Sequence, residues 1–169
     1  YRSTEKQMTS IPKVRPATRS DEPIIFALVN QLHQSIRVEE SGFAEAFPSV
    51  LRDPNHGCLV LELNSQVIGY AAGYKHVALS ACQHVAFLDE IVIKPELRGR
   101  GFGKQLMAAF EAWAETHRCK MVALATGGAK GFYERLGYTS RAGYYKKSLQ
   151  PESAGGPDPI QLRSTEKDL

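Results

Sequence analysis

The sequence predicts a domain of the α/β (α+β) class, and three observations carry that prediction. Helix-period and strand-period segments alternate between residues 13 and 149. A cationic, glycine-rich turn, Arg98-Gly99-Arg100-Gly101-Phe102-Gly103-Lys104, joins an apolar strand to an amphipathic helix. The 169 residues are 43% hydrophobic and 23% charged, which supplies one sizeable core and a soluble surface.

Each element has its own signal. Ser20 is placed to cap a helix running to about Ser35, with Ile24, Ile25, Leu28, Val29 and Leu32 on one face. A shorter helical segment, Phe43 to Leu51, is expected to be broken at Pro48. Cys58–Leu63 and Gln66–Tyr74 read as strands joined by the turn Asn64-Ser65. Val85–Ile93 is the next strand. A helix from about Gly101 to His117 then sets Leu106, Met107, Phe110, Trp113 and Ala114 on one face. Met121–Ala125 reads as a short buried strand. Gly128–Leu136 reads as a helix with Gly137 at its C′ position. Tyr138–Ser140 and Tyr144–Leu149 could close the domain as a hairpin. Residues 1–12 and 150–169 are polar and share the string Arg-Ser-Thr-Glu-Lys, so they read as disordered or tag-like tails around a domain at 13–149.

Composition excludes several classes. No apolar run has transmembrane length and no secretory signal pattern opens the chain, so a cytoplasmic protein away from membranes is expected. Cys58, Cys82 and Cys119 lack CxxC spacing and read as reduced thiols. His33, His56, His76, His84 and His117 are not paired at ligand spacing, so no metal is expected. They read as surface or turn residues, with His84 near the central strand. A net charge of +3 without a long basic run argues against nucleic acid.

The glycine-rich turn carries the chemistry. A turn that opens a helix exposes backbone N–H groups without intrahelical partners, and the helix dipole adds positive potential. Arg98, Arg100 and Lys104 add fixed charge, so a phosphate or pyrophosphate is the expected ligand. A P-loop would need Gly at position 98 and Ser or Thr at 105, where Arg98 and Gln105 stand. A dinucleotide fingerprint counted from Gly99 or Gly101 ends on Lys104 or Leu106 instead of glycine. The pattern Arg/Gln-x-x-Gly-x-Gly/Ala is matched in full by Arg98, Gly101 and Gly103.

That pattern resembles the pyrophosphate loop of the GNAT superfamily of N-acetyltransferases. Leu88-Asp89-Glu90-Ile91-Val92-Ile93-Lys94-Pro95 is similar to the family's fourth strand and its exit. Phe132-Tyr133-Glu134-Arg135-Leu136-Gly137-Tyr138 resembles its C-terminal motif, and Val14-Arg15-Pro16-Ala17-Thr18 with Asp21 its opening strand. The resemblance covers about Lys13 to Leu149. It implies a mixed central sheet flanked by helices, with Phe87–Ile93 and Met121–Ala125 as a splayed parallel pair that holds the cofactor. It implies acetyl-CoA as cosubstrate and direct transfer to a primary amine of a small molecule. A protein lysine or N-terminal amine is the alternative acceptor, and a non-catalytic acyl-CoA-binding module is the alternative from another class. A homodimer is compatible with it.

Such a transfer sets three demands. An amine of pKa about 10.4 is almost wholly protonated near neutral pH, a deficit of about 4 kcal/mol that a base relieves. An oxyanion needs a hydrogen-bond donor. The departing thiolate leaves more readily when an acid protonates it. The resemblance assigns the carbonyl and pantetheine contacts to backbone N–H groups near a bulge of the fourth strand, along Ile91, Val92 and Ile93, and the pyrophosphate to Arg98, Gly99, Arg100, Gly101, Phe102, Gly103 and Lys104. Thr126 stands where many members carry Asn and can donate to the pantetheine chain. Tyr133 is the expected acid. Glu90 or Asp89 is the expected base; simple strand alternation sets them on opposite faces, with the longer Glu90 favoured. Glu39, Glu40, Glu45, Tyr70, Tyr74 and Tyr144 lie in segments that could line the acceptor site.

Overall fold

Two hydrophobic layers, one on each face of a five-stranded sheet, organise the chain. The computed structural model describes residues 11–32, 38–141, 143–145, 147 and 149. In chain order the elements are β1 (Lys13–Pro16), α1 (Glu22–Leu32), α2 (Glu40–Arg52), β2 (His56–Leu63), β3 (Gln66–Ala78), β4 (Gln83–Ile93), α3 (Phe102–Thr116), β5 (Cys119–Leu124) and α4 (Lys130–Arg135). The strands lie in the order β1-β2-β3-β4-β5. The first three pairings are antiparallel and β4–β5 is parallel. This is the mixed sheet flanked by helices that the sequence predicts.

Leu61, Ile68, Ala71, Leu88, Ile91 and Ile93 face α3 and α4 and bury Leu106, Met107, Phe110 and Tyr133. The other face carries Val60, Val67, Tyr70 and Val92 against Ile25, Leu28, Val29 and Leu32 of α1 and Phe47 of α2. The periodic apolar faces read from the sequence therefore fill the core. Each fully buried aliphatic or aromatic side chain contributes about 1.5–3 kcal/mol relative to exposure.

Several local expectations are corrected. Ser20 does not cap α1: it lies inside a single 3-10 turn, Arg19–Asp21, that runs straight into the helix, and Thr18 stands at that turn's N-cap position, where its N–H and hydroxyl donate to the Asp21 carboxylate at 2.7 and 2.9 Å. Thr18 wins because Asp21 is also clamped by Arg15, at 2.7 and 2.8 Å, and Arg15 reaches Glu62 as well. The end of that helix beyond Leu32, including His33 and Ser35, lies outside the described residues. Pro48 does not break α2, which runs continuously past it. Phe47, buried between Phe43 and the sheet, anchors the helix there. No strand occurs among the described residues from Tyr138 onward. The rest of the expected hairpin, and tail residues 1–10 and 150–169, lie outside them. Gly137 takes the C′ position as expected: its N–H and that of Tyr138 donate to the Glu134 and Tyr133 carbonyls, both at 3.0 Å. Among the described residues, no helix is long and apolar enough to cross a membrane.

Candidate active site

A bulge in β4 organises the site. Ala72 pairs with Glu90, whereas the next residue on β3, Gly73, pairs with Leu88. Asp89 is therefore the extra residue, and the side-chain alternation of β4 changes phase across it. Ala86 and Leu88 face the α3 layer before the bulge, and Ile91 and Ile93 after it. The interval of three between Leu88 and Ile91 leaves Asp89 and Glu90 together on the α1/α2 face. The expectation that they lie on opposite faces is thus corrected. Simple alternation fails because one residue is added to one strand only. Gly73 makes the bulge possible: a Cβ there would run into the Phe87 carbonyl and lie 2.9 Å from Leu88 Cα.

The two carboxylates differ. The Tyr70 hydroxyl donates to Glu90 Oε2 at 2.6 Å, and Tyr70 is only 1% exposed. Burial raises the Tyr70 phenol well above its usual range, and the Glu90 charge adds to this. Tyr70 therefore stays a donor at any working pH. Asp89 is exposed to solvent. Desolvation by the surrounding groups pushes its carboxyl up to about 6, Glu90 pushes the same way, and His56 opposes both. A carboxyl near 6 that a substrate can reach is suited to accept a proton near neutral pH.

The same face carries Tyr74, one of the residues that could line the acceptor site, and His56. Desolvation raises the Tyr74 phenol above its usual range, and Asp89 and Tyr144 add to this. From the sequence His56 reads as a surface or turn residue; it is part-exposed, and it is also the first residue of β2, paired with Tyr74 and hydrogen-bonded to Asp53. The missed signal was strand length: β2 starts two residues before Cys58, which sets His56 on the face of Cys58 and Val60. Glu39, Glu40 and Glu45 are exposed along α2. Cys58 is not a nucleophile candidate, because burial pushes its thiol up to about 12.

Beyond the bulge, β4 parts from β5. Their register pairs end at Leu88 with Leu124, while β4 continues to Ile93. The Lys94 N–H donates to the Ile68 carbonyl at 2.8 Å. Antiparallel pairs alternate, so Val92 and Glu90 also bond to β3, and Ile91 and Ile93 turn their N–H and C=O groups away from it. The Ile93 carbonyl accepts from Arg98 Nε at 2.9 Å, which confirms the direction. The backbone donors expected at Ile91 and Ile93 thus face the gap where β5 has left.

The glycine turn lies at the end of the same strand. Gly99 and Gly101 have φ of +72° and +83°, and no atom lies within 4 Å of a Cβ built on either. Gly101 is the N-cap of α3, whose first ladder bond runs from the Gln105 N–H to the Gly101 carbonyl. The N–H groups of Phe102, Gly103 and Lys104 therefore have no partner within the helix. Arg100 and Lys104 are exposed beside them, Phe102 is half-buried and Gly103 is buried. An open, positively charged row of backbone donors fits a pyrophosphate.

An open cleft of about 1310 Å³ runs along β5, between Phe87, Tyr133 and Tyr144. Its lining includes Thr126 and Tyr133 but neither Asp89 nor the glycine turn, so it takes in one side of the candidate site only. The expected buried strand Met121–Ala125 is instead an edge strand, Cys119–Leu124, with Met121 50% exposed. Tyr133 is 4% exposed and packs edge-on against Phe132 and Tyr138. Thr126 Oγ1 accepts from the Ala129 N–H at 3.0 Å, just before α4. Among the described residues no cluster of His, Cys, Asp and Glu could hold a metal ion.

The chain is similar to known proteins. Residues 23–138 match the acetyltransferase (GNAT) family. An aminoalkylphosphonate N-acetyltransferase of Salmonella typhimurium is 29% identical over 142 residues, 81% of this chain and 91% of that protein. An aminoglycoside N(6′)-acetyltransferase type 1 of the same species is 33% identical over 89 residues, 47% of this chain and 61% of that one. The crystal structure of an aminoglycoside N-acetyltransferase with CoA superimposes with a TM-score of 0.68 at 22% identity, covering 82% of this chain and 95% of the other. The chain belongs to the acetyltransferase (GNAT) family and is an acetyl-CoA-dependent N-acetyltransferase.

Proposed function

We propose that the chain acetylates a primary amine of a small molecule directly, with both substrates bound together. The observation that carries this reading is the placement of Asp89 and Glu90 on one face, at the point where β4 leaves β5. Acetyl-CoA supplies an activated acyl thioester. The N–H groups of Phe102, Gly103 and Lys104, with Arg100 and Lys104 as cations, hold its pyrophosphate. Gly99 and Gly101 leave the approach clear of side chains, and Arg98 ties the turn to β4. Backbone N–H groups of Ile91 and Ile93 hold the acyl carbonyl and the pantetheine arm, with Thr126 as a further partner.

Asp89 takes the proton of the acceptor ammonium. Glu90, fixed by Tyr70, adds negative charge that draws the ammonium in and keeps the Asp89 carboxyl basic. Tyr133 protonates the leaving sulfur. Neutralising the amine near pH 7.4 is worth about 4 kcal/mol, which is the share of the barrier that Asp89 addresses. Aromatic Tyr74 and two carboxylates suit a cationic amine.

The relatives act on aminoalkylphosphonates and aminoglycosides by name. Both offer a primary amine on a small molecule, which supports that acceptor class over a protein. The test is thiol release from acetyl-CoA with a panel of aminoalkylphosphonates, aminoglycosides and lysine peptides. Turnover of a small amine at least about tenfold more efficient than of any peptide supports the reading. Turnover of peptides alone would overturn the acceptor class.

A further inference from the structure

His56 is held from behind. Its Nδ1 lies 2.9 Å from Asp53 Oδ2. The Asp53 carboxyl sits below its usual range, chiefly because the Asn55 N–H donates to it, at 2.8 Å. A carboxylate can only accept, so Nδ1 carries the hydrogen. The lone pair of the neutral ring is then on Nε2, across the ring from Asp53.

The ring stands at one end of an aromatic row. His56 is tilted against Tyr74, centroids 5.9 Å apart, and Tyr74 against Phe87, also at 5.9 Å. Asp89 follows Phe87 by two residues, on the same face. The titratable groups on the His56 face of the sheet are Asp53 from the turn after α2, Cys58 from β2, Tyr70, Tyr74 and His76 from β3, and Asp89 and Glu90 from β4. Lys75 lies on the other face of β3, where its charge acts on Cys119. The His56 side chain is 33% exposed, so one edge meets solvent.

We propose that His56, aimed by Asp53, is a positioning residue for proton removal: it draws the acceptor's proton off Asp89 and releases it to solvent. This rests on the acetyl-transfer reading above. The balance is simple. The ammonium N–H bond breaks and its proton resides on Asp89. It passes through the Tyr74 hydroxyl or water to His56 Nε2, giving an imidazolium whose charge Asp53 offsets. Loss of that proton to water restores the ring, and Asp89 is again ionised for the next turnover. No electron changes hands.

The test uses the full chain, acetyl-CoA and the best small amine from the panel, with thiol release followed from about pH 6 to about pH 9.5. His56→Ala and His56→Gln should each lower kcat about tenfold near pH 7 with the acetyl-CoA KM unchanged. The deficit should shrink toward about pH 9.5, where more of the amine is neutral without help. Added imidazole should restore much of the activity of His56→Ala. Asp53→Asn, which removes the charge behind the ring, should lose part of the activity with the same pH dependence. If His56→Ala does not fold, His56→Gln decides by its pH profile alone. Wild-type rates in the folded His56 variants, or a loss that is uniform with pH and not rescued, would overturn the proposal while leaving acetyl transfer intact. Absence of thiol release by the unmodified chain with every amine would overturn acetyl transfer first, and this step with it.

Discussion

The hydroxyl of Tyr70, buried on β3, donates a 2.6 Å hydrogen bond to Oε2 of Glu90 on β4. This contact fixes one of the two carboxylates at the bulge and leaves the other, Asp89, open to an incoming amine. Tyr70→Phe keeps the ring and removes only the donor. A hydrogen bond to a charged group contributes about 1.5–3 kcal/mol. The variant should lose about that much stability in denaturant titrations, and its amine KM should rise more than its acetyl-CoA KM.

Gly73 faces the bulge backbone with no room for a methyl group; Phe110 Cζ would also lie 2.7 Å from its Cβ. Gly73→Ala should cost roughly 1–3 kcal/mol by overpacking. It should also lower kcat at temperatures where the protein remains folded, because it displaces Asp89. Unchanged kcat together with the stability loss would separate the bulge from catalysis.

Arg100 is exposed at the glycine turn and Arg98 is tied to the Ile93 carbonyl. Arg100→Ala should raise the acetyl-CoA KM about tenfold, the lower end for a charge-assisted contact, with kcat nearly unchanged. Arg98→Ala should affect both constants, because it also loosens the turn from β4. Calorimetric titration with CoA checks the binding part directly.

Asp21 is held by Arg15, which draws its carboxyl down to about 2; burial works against this, and bonds from Thr18 add to it. The shift from 3.8 to about 2 is a stabilisation of about 2 kcal/mol, fully present above pH 4. It is lost as pH falls from about 4 to about 2, because the unfolded chain then binds the proton first. Asp21→Asn should therefore be less stable by about that amount at pH 7, and the gap should close at low pH. Urea melts at both pH values measure it.

The fold was legible because its signals are local and periodic. The apolar faces of α1 and α3 and the glycine turn at 98–104 are each read from a few neighbouring residues. The relation of Asp89 to Glu90 was not legible in the same way. It depends on one residue added to β4 relative to β3; the family resemblance implies a bulge in this strand, but Leu88-Asp89-Glu90-Ile91 does not say at which residue it falls. Gly73 marks the position once the register is known. His56 was hidden for a related reason: its role depends on Tyr74 and Phe87 on two other strands. Thr18 displaced Ser20 as cap because the tertiary partner Arg15 favours Asp21 at the third position.

Removal of the acceptor's proton by Asp89 is read out by the pH dependence of kcat for wild type and Asp89→Asn with one small amine and saturating acetyl-CoA. The Asp89 carboxyl lies at about 6 in the folded chain. The wild-type rate should therefore rise with pH through an acidic limb near that value, as the carboxylate ionises. Asp89→Asn should lack the limb and run about a hundredfold slower near pH 7, converging on wild type as the amine deprotonates unaided. Its melting temperature should not fall at pH 7, because a carboxyl with a raised pKa costs stability once pH exceeds about 4 and that cost is complete above about 6. A folded Asp89→Asn variant with the wild-type rate and the wild-type acidic limb would mean that Asp89 is not the base.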